Sequence, residues 1–284
     1  MWQIRELRFT LKTPLHIGFR PLGFISRTLS YIPAHTMFLA LVPAVVKGLG
    51  LELRPEVFQQ IEACLRPNLY CSPIFIRHNG DYLFPFRPAS QEIIERHYLF
   101  SQYGVCLDFK PRSAREGMLF ETEYICPMAR GLKKPVPTQF GGFILFRPFK
   151  KGHLNLSLEG QLGGVALKDI LTLVQIGGER KGGFGLIKDI YLNSAHHLFG
   201  YEIDLESDRP TLKVPSQTEM PFYLKWEAGL RIKGCPFPLV KRRHLPHLGS
   251  GLRLEGPHIL YDLGWSAPTD CLITIGPEYC EYLK

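Results

Sequence analysis

No run in this 284-residue chain approaches the ~18 consecutive apolar residues that a bilayer span requires. Phe38–Val46 is apolar but short, and Pro43 interrupts it. The opening residues, MWQIRELRFTLK, alternate charged and apolar side chains like a first strand and hold no signal-peptide core. Cys-x-x-Cys pairs are missing as well. The seven cysteines (Cys64, Cys71, Cys106, Cys126, Cys235, Cys271 and Cys280) are odd in number and scattered. Their arrangement argues against a zinc site or a disulfide framework and for reduced thiols in a cytoplasmic setting. His196-His197 reads as a loop pair without the helical spacing of a metal site, so no metal is expected. A G-x-x-x-x-G-K-[ST] phosphate loop is absent, and so is any low-complexity segment.

What the chain does have is Ile176–Gly185, IGGERKGGFG, where five glycines frame Arg180-Lys181. Glycine lets a backbone pass through positive φ and approach a ligand closely, because no Cβ intervenes. Successive exposed amides on such a loop can form an anion-binding concavity, and the two cations add charge, so a phosphate is the expected ligand. Gly183-Phe184-Gly185 runs into Leu-Ile-Lys-Asp-Ile-Tyr-Leu, which alternates like a strand. A dinucleotide fingerprint would open a helix there, so no nucleotide cofactor is expected. The plain alternative is a tight strand-to-strand turn with two solvated charges. With 45% hydrophobic residues the chain can bury a core, and its net charge of +8 and pI of about 9.1 are compatible with a polyanionic partner.

Periodicity predicts a mixed α+β chain. Ile4–Leu11 reads as a strand, and Thr36 as the N-cap of an apolar helix running to about Lys47. Pro55–Leu65 reads as a second helix. Ile74–Arg77 and Tyr82–Phe86 read as strands turned at Asn79-Gly80. Strands are expected at Gly142–Pro148 and His153–Leu158, and a helix at Leu167–Gln175. Beyond Ile190 the chain is rich in Pro and Gly, with strands expected at Phe222–Trp226, Leu230–Lys233 and Cys271–Ile275.

The strand Ile4–Leu11, then Leu15-His16-Ile17-Gly18, then Tyr31-Ile32-Pro33-Ala34-His35-Thr36 before a small-residue helix, resembles the CRISPR-associated RAMP superfamily. IGGERKGGFG is similar to the glycine-rich loop those proteins carry late in the chain. Tyr70–Pro88, with its proline-bounded aromatic strand, resembles the group that caps the 5′ end of crRNA in type III effectors. The resemblance covers Ile4 to roughly Ile190. Ala34 and His35 stand where Gly and Ser are usual, and Phe38 where a basic residue is common; His35 can still donate a hydrogen bond to a phosphate.

The resemblance implies an α+β fold: a ferredoxin-like (RRM-type) βαββαβ unit with a second, smaller or degenerate RRM-like unit and long inserted loops. Residues 1–190 would be the RRM-like core with the glycine loop, and residues 191–284 a C-terminal β-rich extension or second RRM-like unit. It implies a non-catalytic crRNA-binding subunit that caps the 5′ handle and docks a large signalling subunit and backbone RAMP subunits. The RNA would meet Gly177, Gly178, Arg180, Lys181, Gly182, Gly183, Phe184 and Gly185, together with His16, Arg20, Arg27 and His35. The basic clusters Lys133-Lys134 and Lys241-Arg242-Arg243 would add contacts, the alternative for each being a solvated face. Phe184 can stack on a base or plug the core. The competing reading is a metal-independent RAMP endoribonuclease processing precursor crRNA, with His16 and His35, joined by Lys47, as its acid–base set. Those enzymes carry the glycine loop close to the C-terminus, whereas 99 residues follow Gly185 in this sequence, which favours the binding subunit.

Overall fold

Along Gln3–Leu11 (β1) the side chains alternate, with Leu7, Phe9 and Leu11 buried in one core and Ile4 in another. That period of two is what a strand between two packed layers demands. The computed structural model describes residues 1–19, 21–107, 114–131, 134–151, 154–244 and 252–283. Around β1 lie β2 (Tyr31–Ile32), β3 (Leu69–Cys71), β4 (Ile74–His78), β5 (Asp81–Tyr82), β6 (Gln139–Phe146) and β7 (Ile187–Ser194). They form one antiparallel sheet in the order β7-β1-β6-β4-β2, with β3 also on β6 and β5 on β4.

Helices α1 (Ala34–Gly48), α2 (Pro55–Leu65) and α4 (Leu167–Leu171) bury their apolar stripes in the core shared with Leu7, Phe9 and Leu11. Helix α1 starts two residues before the expected cap. Pro33, held extended at ψ 147°, accepts the amides of Thr36 (3.0 Å) and Met37 (3.1 Å) through its carbonyl. Helix α4 is shorter than expected because its last turn tightens: Leu173 and Val174 donate to carbonyls three residues back, and Gln175 turns away to bridge Leu186. The Asn79-Gly80 turn forms as expected, with both residues at positive φ (53° and 95°). Helix α3 (Pro88–His97) was not foreseen. Nor was the hairpin Leu99–Leu107/Ala114–Ile125, whose second strand also pairs with Ile25-Ser26. Expected strands Gly142–Pro148 and His153–Leu158 appear as β6 and as Phe149–Lys151 with Leu154–Leu156.

Residues 197–283 build a second sheet of eight strands and, among the described residues, no helix. Cys271–Ile275 appears with the expected bounds, Phe222–Trp226 shrinks to Leu224-Lys225, and Leu230–Lys233 yields only a bridge from Lys233 to Ser266. This sheet covers one end of the helix-free face of the first. There Trp2, Ile4, Tyr70, Phe143 and Leu145 pack with Leu212, Val214, Phe222, Trp265 and Ile273. Phe199, at φ 53°, meets Phe75, Tyr82, Phe84 and Phe143 edge-on between the sheets.

Beyond that cover, Glu6 of β1 collects donors from three strands. Arg8 reaches it twice (2.8 and 2.6 Å), Arg77 at 3.1 Å and the Tyr82 hydroxyl at 3.0 Å. Burial alone would raise the Glu6 carboxyl, but the bonds from Arg8 and Tyr82 and the charges of Arg8 and Arg77 hold it below its ordinary value. A carboxylate depressed in the folded state contributes stability above its unfolded pKa and loses it as the pH falls through the folded one. Glu6→Gln is therefore expected to flatten the loss of stability on acidification below the ordinary glutamate range. Urea unfolding of both proteins across that range checks this; parallel curves would remove Glu6 from the account.

Candidate nucleic-acid interface

Residues Lys12–His16 continue β1 past its last ladder pair and hold the glycine loop along one edge. The Lys12 amide donates to the Leu186 carbonyl (2.8 Å), and the Leu186 amide to Thr13 Oγ1 (3.0 Å). Gly185 donates to the Pro14 carbonyl and Gly178 to the His16 carbonyl, each at 2.8 Å. Across the neck, the Ile176 amide donates to Gly185 (2.9 Å). At the tip, Arg180–Gly182 make one 3₁₀ turn, entered through Glu179 at φ 52° and left through Gly183 at φ 85°. Gln175 braces this turn from inside, its amide donating to the carbonyls of Arg180 (3.0 Å) and Phe184 (2.7 Å).

The five glycines divide into two kinds. A Cβ on Gly185 would lie 1.8 Å from the Ile176 carbonyl oxygen, and one on Gly177 would lie 2.3 Å from that of His16, both at positive φ. These two glycines permit close backbone contact. Gly178 faces the His16 ring, which a Cβ would approach to 3.2 Å. Around Gly182 and Gly183 a Cβ would meet nothing within 4 Å, so the backbone there is open on its outer side. The amides of Gly178, Gly182, Gly183, Phe184 and Gly185 already donate to carbonyls. At the tip the Arg180 and Lys181 side chains are exposed.

His16 is 5% exposed. Its Nδ1 lies 2.7 Å from the Glu123 carbonyl, and its Nε2 lies 3.4 Å from Ser26 Oγ. The carbonyl fixes the hydrogen on Nδ1, leaving Nε2 to accept from the serine. His16 thus joins the glycine loop to the hairpin strand Ala114–Ile125, and both ring nitrogens are engaged. Phe184, 9% exposed, sets its ring at 75° to Tyr124 with centroids 6.0 Å apart. His35 sits in the first turn of α1 and Lys47 in the last, twelve residues or about 18 Å along the axis, too far to share one phosphate.

Arg27 and Lys134 are exposed. Arg20 and Lys133 lie outside the described residues. Lys241, Arg242 and Arg243 belong to the strand Pro236–His244, and their side chains lie outside the described ones. The sequence reading passed over the hairpin flank. There Phe24 (58% exposed) and Phe120 (44%) are neighbours, since the Glu121 amide donates to the Phe24 carbonyl and the Phe120 ring covers Gly104, while Tyr103 (69%) pairs with Glu121 and so projects from the opposite face of the hairpin. The alternating apolar residues of LFSQYGVCL were the available signal. Among the described residues no group of three or more His, Cys, Asp or Glu could hold a metal ion, and no helix is long and apolar enough to cross a membrane.

No family model and no curated protein matches the chain. Among solved structures, a chain of the cryo-EM structure of the type III-B Cmr-beta bound to cognate target RNA and AMPPnP is similar at 11% identity. That match spans 92% of this chain and 84% of the other, with a TM-score of 0.45. A chain of the type III-B Cmr-beta bound to cognate target RNA is similar at 12% identity, over 91% and 84%, with a TM-score of 0.44.

The two kinds of glycine make a direct test. Gly185→Ala is expected to destabilise the protein by about 1–3 kcal/mol, because both the φ and the approach to Ile176 exclude a methyl. Gly182→Ala should stay within about 0.5 kcal/mol. Urea unfolding distinguishes them, and equal losses would contradict the division.

Proposed function

We propose that the chain is an RNA-binding subunit of a type III CRISPR effector ribonucleoprotein. In this reading it caps the repeat-derived 5′ handle of crRNA and does no chemistry at the glycine loop. The observation that carries the reading is the loop tip: Arg180 and Lys181 stand exposed beside the open backbone of Gly182-Gly183, on a turn braced from below by Gln175. A rigid cationic tip of this kind positions a phosphate backbone, while splayed bases supply specificity elsewhere. Arg27 and Lys134 extend the cationic surface in this reading, as do Arg20, Lys133 and Lys241-Arg242-Arg243. The exposed flank of Phe24 and Phe120 suits a neighbouring subunit.

The strand order supports a ferredoxin-like, RRM-type core in residues 1–190. Taking β1, β3 with β4, β6 and β7 as first to fourth, the sheet runs fourth-first-third-second, with α1 after the first and α4 after the third. Helices α2 and α3 and the hairpin are insertions in that scheme, and residues 191–284 read as a β-rich extension. The engaged nitrogens of His16 and the distance from His35 to Lys47 count against an acid–base set at the loop.

The test is binding of repeat-derived RNA across a salt series. Losing two phosphate contacts should make the log–log slope shallower by roughly 1.4, at about 0.7 per contact on a single strand. The double variant Arg180→Ala/Lys181→Ala is expected to show that change together with weaker binding. An unchanged affinity and slope would overturn the role of the tip.

A further inference from the structure

Every sheet edge leaves a row of backbone donors and acceptors unpaired, open to a strand from another chain. Among the described residues this chain blunts its edges, with one exception. In the first sheet β7 is broken by a register shift, with Asp189 at φ 50°, and carries Lys188 and Asp189, while β2 is two residues long. In the second sheet one edge is the two-residue His197–Leu198. The other, Pro236–His244, holds two prolines, Lys241, Arg242 and Arg243. The remaining edge strands are two or three residues long. The exception is Leu99–Leu107, the outer strand of the hairpin. Its nine residues, LFSQYGVCL, include no charge and no proline.

The open stretch is residues 101–106. At its base the Arg130 guanidinium lies over Phe100, and Cys126 donates to the Tyr98 carbonyl (2.8 Å). Beyond that cover Ser101, Gln102, Tyr103, Val105 and Cys106 are exposed. The hairpin there is apolar on both faces. Tyr103 and Val105 share one face with Leu119 (52% exposed), and Phe120 stands on the other beside Phe24. The charged neighbours lie on the inner strand. Glu121 is opposite Tyr103, and Glu123, opposite Ser101, accepts from the Thr28 amide (2.8 Å).

A strand that docks on this edge must itself be uncharged and apolar on both faces. The chain's own strand has that composition, and in an antiparallel self-pair no like charges face each other. We propose that residues 101–106 pair antiparallel with the same residues of a second copy of the chain. A two-fold axis perpendicular to the sheet keeps each face on its own side. Tyr103 and Val105 of both copies then join one apolar face, and two three-stranded sheets become continuous. The contact is isologous and closes, because it uses the edge of both copies. It goes beyond the RNA-binding reading and does not rest on it.

The net charge of +8 on each copy opposes association and is screened by salt, so the full chain is measured at ~0.15 M salt. Reductant is present throughout, so that the exposed Cys106 and Cys235 form no disulfide. Sedimentation equilibrium over a concentration series is expected to show the 32.4 kDa chain passing into a species of twice that mass and none larger. The double variant Tyr103→Lys/Val105→Lys sets lysines against lysines near the axis and should raise the dimer dissociation constant about tenfold. Val105→Lys alone serves if the double variant fails to fold. Tyr191→Lys/Leu272→Lys adds the same charge at exposed positions away from the hairpin and should leave the association unchanged. A chain that stays monomeric across the series, or that forms open-ended assemblies, overturns the proposal. So does a dimer that the hairpin variant weakens no more than the control.

Discussion

Residues Lys12–His16 are the seam on which the candidate sites depend. On one side they bond Leu186, Gly185 and Gly178 of the glycine loop. On the other, Leu15 exchanges both backbone hydrogen bonds with Ile125, at 3.0 and 2.8 Å, and the His16 ring meets the Glu123 carbonyl. Because this run continues β1, it is anchored by the buried Leu7, Phe9 and Leu11, each worth about 1.5–3 kcal/mol of burial. Loop and hairpin are therefore referred to the same rigid strand, and their relative position is set by backbone bonds rather than by side-chain packing alone. The loop tip and the outer surface of the hairpin share one frame of reference.

That frame explains why the glycines are placed as they are. Two backbones can exchange hydrogen bonds at Gly178 and Gly185 only if the chain between them comes within contact of the His16 and Ile176 carbonyls. Side chains at Gly177 and Gly185 would push the loop off the seam. The tip meanwhile keeps Arg180 and Lys181 in water, where a cation costs little to expose and remains available to a polyanion. Rigidity at the neck and charge at the tip are separate requirements met by different residues of one ten-residue motif.

Much of this was legible in the sequence because it is local. Strand β1, helix α2, the Asn79-Gly80 turn and Cys271–Ile275 each declare themselves through periodicity or turn chemistry within a short window. The start of α1 was misplaced because Thr36 carries the usual cap chemistry, whereas the entry is fixed by Pro33. The hairpin Leu99–Leu107/Ala114–Ile125 lacked an Asn-Gly or Gly-Gly signal, and its outward residues are as apolar as a core strand, which blurs the alternation. At the loop, the glycines and the two cations could be read directly, and resemblance added His16. Nothing in the sequence showed that His16 would be enclosed by Glu123 and Ser26, since those contacts span separate strands.

The pairing of His78 with His97 is non-local in the same sense. One residue ends a strand of the central sheet and the other ends an inserted helix, and only the packing of α3 against the hairpin base brings their rings parallel. Two backbone bonds fix that base: Cys126 donates to the Tyr98 carbonyl at 2.8 Å, and Arg130 to that of His97 at 3.0 Å. His97 is thus held at both ends, its carbonyl accepting from the Arg130 amide while its ring donates to the Arg130 carbonyl. A residue tied twice to one partner has little rotameric freedom left, so its free nitrogen points in a direction the backbone has already chosen.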